Sequence, residues 1–168
     1  MITIRTVAAD APDAVALVRS YLGEMVDRYH GRPMPGSAVD AALADEPADD
    51  VAVLLVAYRM IADRAVSGQT VSDRGGEPVG CVGLRPAEAG TGEITKMYVR
   101  PEARRLGIGR RLLSAVEDEA RARDLHTLRL DTRNDLTEAR AMYAAAGYVE
   151  IPPHRDRLYA DHWFAKSL

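Results

Sequence analysis

The sequence predicts one mixed α/β domain, on three observations. Seven short apolar stretches have the spacing of strands, and four longer stretches carry apolar residues at helical spacing. The chain has 168 residues, a length that forms one hydrophobic core. Its composition, 47% hydrophobic and 28% charged, is ordinary for a globular domain. We therefore expect residues 1–168 to fold as a single domain.

The predicted elements follow the order β-α-α-β-β-β-α-β-α-β-β. In chain order they are strand 2–7, helix 14–27, helix 37–45, strands 51–58, 78–84 and 93–99, helix 107–123, strand 126–131, helix 137–146, and strands 148–151 and 161–166.

In the first half of the chain, the first strand alternates between apolar and polar residues. The first helix has an apolar face, and Asp10 or Asp13 is its candidate cap, while Ser37 is the candidate cap of the second. Strand 51–58 is continuously apolar, which is typical of a strand covered on both faces. The polar segment 59–77 is longer than a usual connection and predicts no element.

In the second half, the strand pattern resumes in the two stretches that end at Leu84 and Val99. A glycine turn opens the third helix, and Gly147 ends the fourth. Pro152 and Pro153 break the strand that follows, and the last strand closes the chain.

The most informative stretch is the turn before the third helix, which reads Arg104-Arg105-Leu106-Gly107-Ile108-Gly109. A glycine turn at a helix N-terminus exposes backbone N–H groups that have no partner within the helix. Together with the helix dipole and the arginines, these groups suit a phosphate or pyrophosphate. The alternative is a tight strand-to-helix turn with solvated arginines.

Two common phosphate motifs are absent from this turn. A dinucleotide fingerprint needs a third glycine where Leu112 stands, and it normally lies in the opening βαβ unit of a chain. The Walker sequence with its lysine is also missing, so nucleotide hydrolysis has no support.

Charge and composition narrow the possible partners. The net charge of −3 predicts no nucleic-acid binding, and no apolar run is long enough to predict a membrane span. The four histidines are scattered, so we expect no metal site. Cys81 is the only cysteine and is a packed strand residue or, alternatively, a catalytic thiol. With no signal-peptide pattern, these features suggest a cytoplasmic protein.

Two motifs resemble those of the GNAT superfamily of N-acetyltransferases. Arg104-x-x-Gly107-x-Gly109 resembles motif A, which binds the pyrophosphate of acetyl-CoA in that family, and Ala139 to Tyr148 resembles motif B. The resemblance implies a mixed, mostly antiparallel sheet of six to seven strands flanked by about four helices, with a splayed central strand pair. It also implies acetyl-CoA as co-substrate and a possible homodimer.

The resemblance assigns cofactor contacts to two segments. Those expected to hold the pyrophosphate are Arg104, Arg105, Leu106, Gly107, Ile108, Gly109 and Arg110. The backbone of Met97, Tyr98 and Val99 is expected to bind pantetheine, with the Met97 N–H as oxyanion donor. A family asparagine is replaced by Leu136, and nearby Asn134 either supplies the contact or caps the fourth helix.

The reaction needs a proton acceptor, because an amine arrives as an ammonium, and an acid for the leaving thiolate. By the resemblance, Tyr143 is the candidate acid and Glu93 the candidate base in a direct transfer within a ternary complex. The alternatives are a core aromatic for Tyr143 and an exposed strand-opening carboxylate for Glu93.

The candidate acceptor-binding residues lie in the variable regions of the family pattern. They are Glu24, Asp27, Tyr29, His30 and Tyr159. The two carboxylates could equally be solvated. The predicted function is transfer of an acetyl group to a primary amine of a small molecule, amino acid or peptide. The alternatives are a non-catalytic acetyl-CoA sensor or interaction module, and an acetylase of basic protein tails.

Overall fold

The computed structural model describes residues 1–46, 50–60, 76–157 and 159–168. Within these ranges the helices are α1 (Pro12–His30), α2 (Gly36–Asp45), α3 (Ile108–Arg121) and α4 (Thr137–Ala145). The strands are β1 (Ile2–Val7), β2 (Val53–Arg59), β3 (Glu77–Pro86), β4 (Thr91–Val99), β5 (Thr127–Thr132), β6 (Val149–Ile151) and β7 (His162–Ser167). The polar segment for which the sequence predicts no element falls mostly on residues 61–75, outside the described residues.

The strands form one seven-stranded sheet in the order β1-β2-β3-β4-β5-β7-β6. Every neighbouring pair is antiparallel except β4 and β5, which are parallel. The predicted class, a mixed and mostly antiparallel sheet with four flanking helices, is confirmed.

The central pair β4 and β5 separates soon after it begins. Its ladder runs only from Thr91↔Thr127 to Glu93↔Arg129. Further along β4 the pairing with β3 shifts register, and Lys96 takes a left-handed φ of 53°. This arrangement is a β-bulge, which bends the strand and re-aims its side chains. The predicted splayed pair is therefore present, and the opening between β4 and β5 creates a cleft in the sheet.

Helices α1 and α3 cover opposite faces of the sheet. Alternate residues of β2 show this, because Leu55 packs in the cluster that contains α3, whereas Val56 packs with Leu17 of α1. Every residue of β2 from Val53 to Tyr58 is buried. Strand β2 is therefore covered on both faces, as its continuously apolar sequence predicts.

The predicted helix caps are wrong. Helix α1 begins at Pro12 without a side-chain cap, and the Asp13 carboxylate instead accepts a hydrogen bond from the Tyr58 hydroxyl at 3.0 Å. Helix α2 begins one residue before Ser37, also without a side-chain cap. Proline at the first helical position already has a helical φ and has no N–H to satisfy, so Pro12 starts α1 without help from an aspartate.

A partly buried ion pair joins α3 to the last strand. The Lys166 Nζ lies 2.9 Å from both Glu117 carboxylate oxygens, and the Tyr148 hydroxyl donates to Oε1 of Glu117 at 3.1 Å. Burial beside this carboxylate raises the pKa of Tyr148, so its hydroxyl remains a donor.

We expect Lys166→Met to lower the free energy of unfolding by about 1 to 3 kcal/mol, because the buried Glu117 carboxylate loses its closest cation and keeps only Arg121, at 3.7 Å, as an ion-pair partner among the described residues. Urea denaturation measures this change. The double variant Lys166→Met/Glu117→Leu removes both charges and should recover most of the loss. An unchanged unfolding midpoint for Lys166→Met would contradict a stabilising role for the pair.

Candidate active site

The turn between β4 and α3 presents a row of backbone donors. Arg105 and Gly107 take left-handed φ values of 64° and 74°, and Gly107 is the N-cap of α3. The first bond of the helix runs from the Arg111 N–H to the Gly107 carbonyl, at 3.1 Å. Within the described part of the chain, the six N–H groups from Arg105 to Arg110 donate no hydrogen bond to protein. Six consecutive free donors at a helix N-terminus have the arrangement that suits an anion. We call residues 105–110 the anion loop.

The arginines around the anion loop differ in their contacts. Arg105 and Arg110 are exposed. Arg104 instead fastens the loop to the fold, since its Nε donates to the Val99 carbonyl at 2.9 Å and its guanidinium lies 2.5 Å from the Glu24 carboxylate. The charge available to a bound anion therefore comes from Arg105 and Arg110, while Arg104 holds β4, α1 and the loop together.

Gly109, the second glycine of the motif, lies close to α4. A Cβ at this position would lie 2.9 Å from the Met142 Sδ, so a larger residue would require the flexible Met142 side chain to shift. The start of α3 thus packs directly against α4, the helix that carries Tyr143.

Among the described residues, the backbone of β4 beyond Glu93 has no strand partner on the side facing β5. Met97 lines the cleft at this open edge. The ring of Tyr98 is not among the described residues that line the cleft. It is buried with Leu17 on the α1 face of the sheet, where it meets Tyr21 edge-to-face at 6.3 Å.

The cleft between the splayed strands has a volume of about 380 Å³. Its walls come from α1, α2, β4, the end of β5, α4 and the segment around Arg157 and Tyr159. A space of this size is at the small end of ligand sites in proteins. It holds a small molecule or the end of a larger one.

Tyr143 lies where the cleft meets the core. Its ring packs against Tyr148 and Phe164, with centroids 5.9 and 6.2 Å away, and the residue is only 5% exposed. It also lines the cleft, and its hydroxyl has no hydrogen-bond partner among the described residues. Burial raises the pKa of Tyr143, so the hydroxyl keeps its proton at any pH near neutral. Tyr143 therefore combines features of both interpretations. Its ring packs in the core, as expected of a core aromatic, and its hydroxyl, unpaired among the described residues, is a donor on the cleft, as expected of a general acid.

Comparison with known proteins identifies the family of this chain. The Acetyltransferase (GNAT) family matches residues 40–148, which include β4, the anion loop and Tyr143. The chain belongs to this family.

Relatives of this GNAT chain include an IAA acetyltransferase of Azospirillum brasilense, 34% identical over 152 residues, which cover 88% of this chain and 86% of that protein. An amino-acid acetyltransferase of Pseudomonas putida is 31% identical over 115 residues, 67% of this chain, but the match spans only 27% of that longer protein. A solved GNAT acetyltransferase from Elizabethkingia anophelis with acetyl-CoA bound has the same fold, with a TM-score of 0.64 and 20% identity over 99% of this chain and 98% of that chain. The prediction of a GNAT acetyltransferase enzyme is confirmed.

Glu93 is buried and surrounded by arginines rather than exposed. Its carboxylate pairs with Arg85 at 2.9 Å, with Arg155, and with Arg157 at 3.8 Å, and its side chain is 3% exposed. Glu93 is not one of the described residues that line the cleft. Its predicted role as base is not tested by these contacts, but they weigh against it, because the carboxylate is occupied by three guanidinium groups and lies outside the described cleft lining. The arrangement fits better a residue that holds those three groups together. The alternative of an exposed carboxylate is wrong.

The candidate acceptor residues divide into two groups. Tyr29, His30 and Tyr159 line the cleft, and the two tyrosine rings meet edge-to-face at 4.8 Å. The two carboxylates instead serve the fold. Glu24 pairs with Arg28 and Arg104, and Asp27 accepts the Met34 N–H at 2.7 Å. Both are only partly exposed, and neither is among the described cleft-lining residues.

Asn134 lies at the surface beside the cleft. Its side-chain oxygen is 3.0 Å from an Arg140 nitrogen and 3.1 Å from the His162 Nε2. Helix α4 has Leu136 as its N-cap and no side-chain cap, so the alternative of Asn134 as a helix cap is wrong. Its contact with the cofactor stays a prediction.

Several cleft residues have no clear signal in the sequence. Tyr21, Lys96 and Asp131 all line the cleft, although none stands in a recognisable motif. Lys96 reaches it because the bulge in β4 changes the side-chain alternation. Arg157 also lines the cleft, and its partners Asp131 and Glu46, at 2.7 and 3.1 Å, come from distant parts of the chain.

The described part of the chain has no group of three or more His, Cys, Asp or Glu side chains arranged to hold a metal ion. In the same ranges, the helices lack the combination of length and apolarity that crossing a bilayer requires.

Proposed function

We propose that the protein transfers the acetyl group of acetyl-CoA directly to a primary amine of a small molecule, an amino acid or a peptide, in a ternary complex. The observation that carries this proposal is the anion loop beside the open edge of β4, with Tyr143 on the same cleft. The solved relative with acetyl-CoA bound, which shares this fold, supports the choice of cofactor.

In this proposal the anion loop binds the pyrophosphate of the cofactor through the N–H groups of residues 105–110. Arg105 and Arg110 add charge from the surface. The pantetheine arm then extends β4 by hydrogen bonds to the backbone of Met97 and Val99, where β5 no longer pairs. The Met97 N–H is the donor for the oxyanion that forms during the transfer.

The chemical step forms a C–N bond and breaks the C–S bond of the thioester. A neutral amine attacks the acetyl carbon, so its ammonium must first lose a proton to water or to a protein group. The departing sulfur takes a proton from the Tyr143 hydroxyl, which burial keeps protonated. The tyrosinate then recovers a proton from the amine side through solvent in the cleft.

The variant Glu93→Gln tests whether Glu93 is the catalytic base. We expect the low-pH limb of the profile of kcat/KM against pH to remain, because the Glu93 carboxylate is occupied by Arg85, Arg155 and Arg157. Loss of that limb would instead make Glu93 the base. Urea denaturation of the same variant should show a loss of stability, since the three partly buried arginines lose their shared partner.

An amine panel tests the function as a whole. The relatives named as IAA and amino-acid acetyltransferases indicate small acceptors, so the panel should include amino acids, aromatic amines and short peptides. The measurement is the thiol released from acetyl-CoA, and we expect at least one amine to raise it well above the amine-free rate. Tight acetyl-CoA binding without thiol release for any amine would favour the sensor alternative.

A further inference from the structure

Lys96 places an ammonium group inside the cleft. It stands at the bulge of β4 directly before Met97, and the residue is only 3% exposed although it lines the cleft. Its long side chain reaches the end of α2, where Nζ lies 3.5 Å from the Glu46 carbonyl oxygen. The group therefore lies on the side of β4 that α1 and α2 cover.

Among the described residues, Lys96 has no carboxylate partner, and its one hydrogen bond is long. The two arginines of the cleft differ in this respect. Arg157 is paired with Asp131 and Glu46, and Arg133 with Asp135 at 2.8 Å. Lys96 is thus the cleft cation whose charge is not balanced by an ion pair in the described part of the chain.

A buried ammonium without a counter-ion is costly, and it becomes stable when an anion enters its site. Burial lowers the pKa of Lys96, as desolvation of a charged amine requires. An anionic group beside Nζ would stabilise the ammonium and offset the cost of its desolvation.

The cleft wall also carries carboxylates, of which Glu46 and Asp131 pair with Arg157. Its apolar and aromatic side is made by Leu22, Met25 and Tyr29 of α1, with Tyr159 against the Tyr29 ring.

We propose that Lys96 binds a carboxylate of the acceptor, and that the acceptor is a primary amine with a carboxylate on a largely apolar or aromatic body. The acceptor part of this inference rests on the proposed function, whereas the carboxylate site itself does not. The small cleft, about 380 Å³, limits the body to roughly one ring or a short branched chain.

The first test compares phenylalanine with 2-phenylethylamine, which has the same body without the carboxylate. We expect Lys96→Met to raise the KM of phenylalanine at least tenfold and that of 2-phenylethylamine less than twofold. Lys96→Arg, which keeps the charge, should recover part of the loss. An equal fall of kcat for both amines would overturn the proposal, because it would indicate a role for Lys96 in proton transfer.

The second test measures binding and does not depend on turnover. Calorimetry of the CoA-loaded protein with phenylacetate, and with neutral phenylacetamide as the matched ligand, uses the wild type, Lys96→Met and Lys96→Arg. We expect phenylacetate to bind Lys96→Met at least tenfold more weakly than the wild type, with phenylacetamide unchanged. Unchanged acetyl-CoA affinity of each variant shows that it is folded.

The outcomes separate the two proposals. Equal phenylacetate affinity in wild type and Lys96→Met, or no phenylacetate binding to the wild type, overturns the carboxylate site even if amines are acetylated. Lys96-dependent phenylacetate binding without thiol release from any amine supports the site and contradicts the proposed function.

Discussion

Gly107→Val is expected to weaken acetyl-CoA binding by at least a hundredfold. Gly107 has a φ of 74° and is the N-cap of α3, at the centre of the anion loop. A left-handed conformation costs an ordinary residue about 1 to 2 kcal/mol, and more when it is β-branched. The variant therefore relaxes to another backbone shape and turns the loop N–H groups away from the pyrophosphate.

The size of this effect follows from the bonds that are lost. A hydrogen bond to a charged group is worth about 1.5 to 3 kcal/mol, so losing two of them removes at least about 3 kcal/mol. At about 1.4 kcal/mol for each factor of ten, this corresponds to more than a hundredfold in the dissociation constant. Isothermal titration with acetyl-CoA measures it directly.

Gly90→Val is the matched control. Gly90 also has a left-handed φ, 73°, but it lies in the β3–β4 hairpin, at the opposite end of β4 from the anion loop. We expect Gly90→Val to lower stability by a similar amount and to leave acetyl-CoA affinity unchanged. If Gly107→Val binds acetyl-CoA like the wild type, the anion loop does not hold the cofactor.

Tyr143→Phe is expected to lower kcat about a hundredfold while leaving the acetyl-CoA affinity nearly unchanged. General acid catalysis by a positioned side chain contributes roughly 10² to 10⁴ in rate, and phenylalanine keeps the ring while removing the proton donor. The Tyr143 ring contacts with Tyr148 and Phe164 remain. Because the hydroxyl has no partner among the described residues, the variant should be as stable as the wild type.

Tyr148→Phe separates catalysis from packing. Tyr148 lies next to Tyr143 in the core, but its hydroxyl donates to the buried Glu117 carboxylate. We expect this variant to lose stability, by about 1 to 2 kcal/mol, and to keep its kcat. Steady-state kinetics and urea denaturation on both variants give the comparison. A Tyr143→Phe enzyme with unchanged turnover would leave Tyr143 as a packing residue only.

The sequence predicts those parts of the molecule whose structure depends on residues that are close together in the chain. Strand alternation, helical spacing and the glycines at 107 and 147 are local signals, and each corresponds to an element or an element end in the structure. The anion loop can be predicted for the same reason, since the glycine turn and the helix that follows it are contiguous.

The rest depends on residues that are far apart in the chain. Glu24 and Arg104 are separated by 80 positions, and Glu93 and Arg155 by 62, so their ion pairs leave no pattern in any local window. The bulge at Lys96 is another such case, because one extra residue reverses the alternation beyond it. For these reasons the carboxylate of Glu24 is predicted in the acceptor site, and Lys96 is not.

The start of α3 meets α4 where Gly109 lies against the Met142 side chain. In the proposed complex, one end of the cofactor is held at the start of α3 and the reacting end lies near Tyr143 on α4. Met142 would then be a positioning residue, since a bulkier or smaller side chain at this contact would shift Tyr143 relative to the bound thioester.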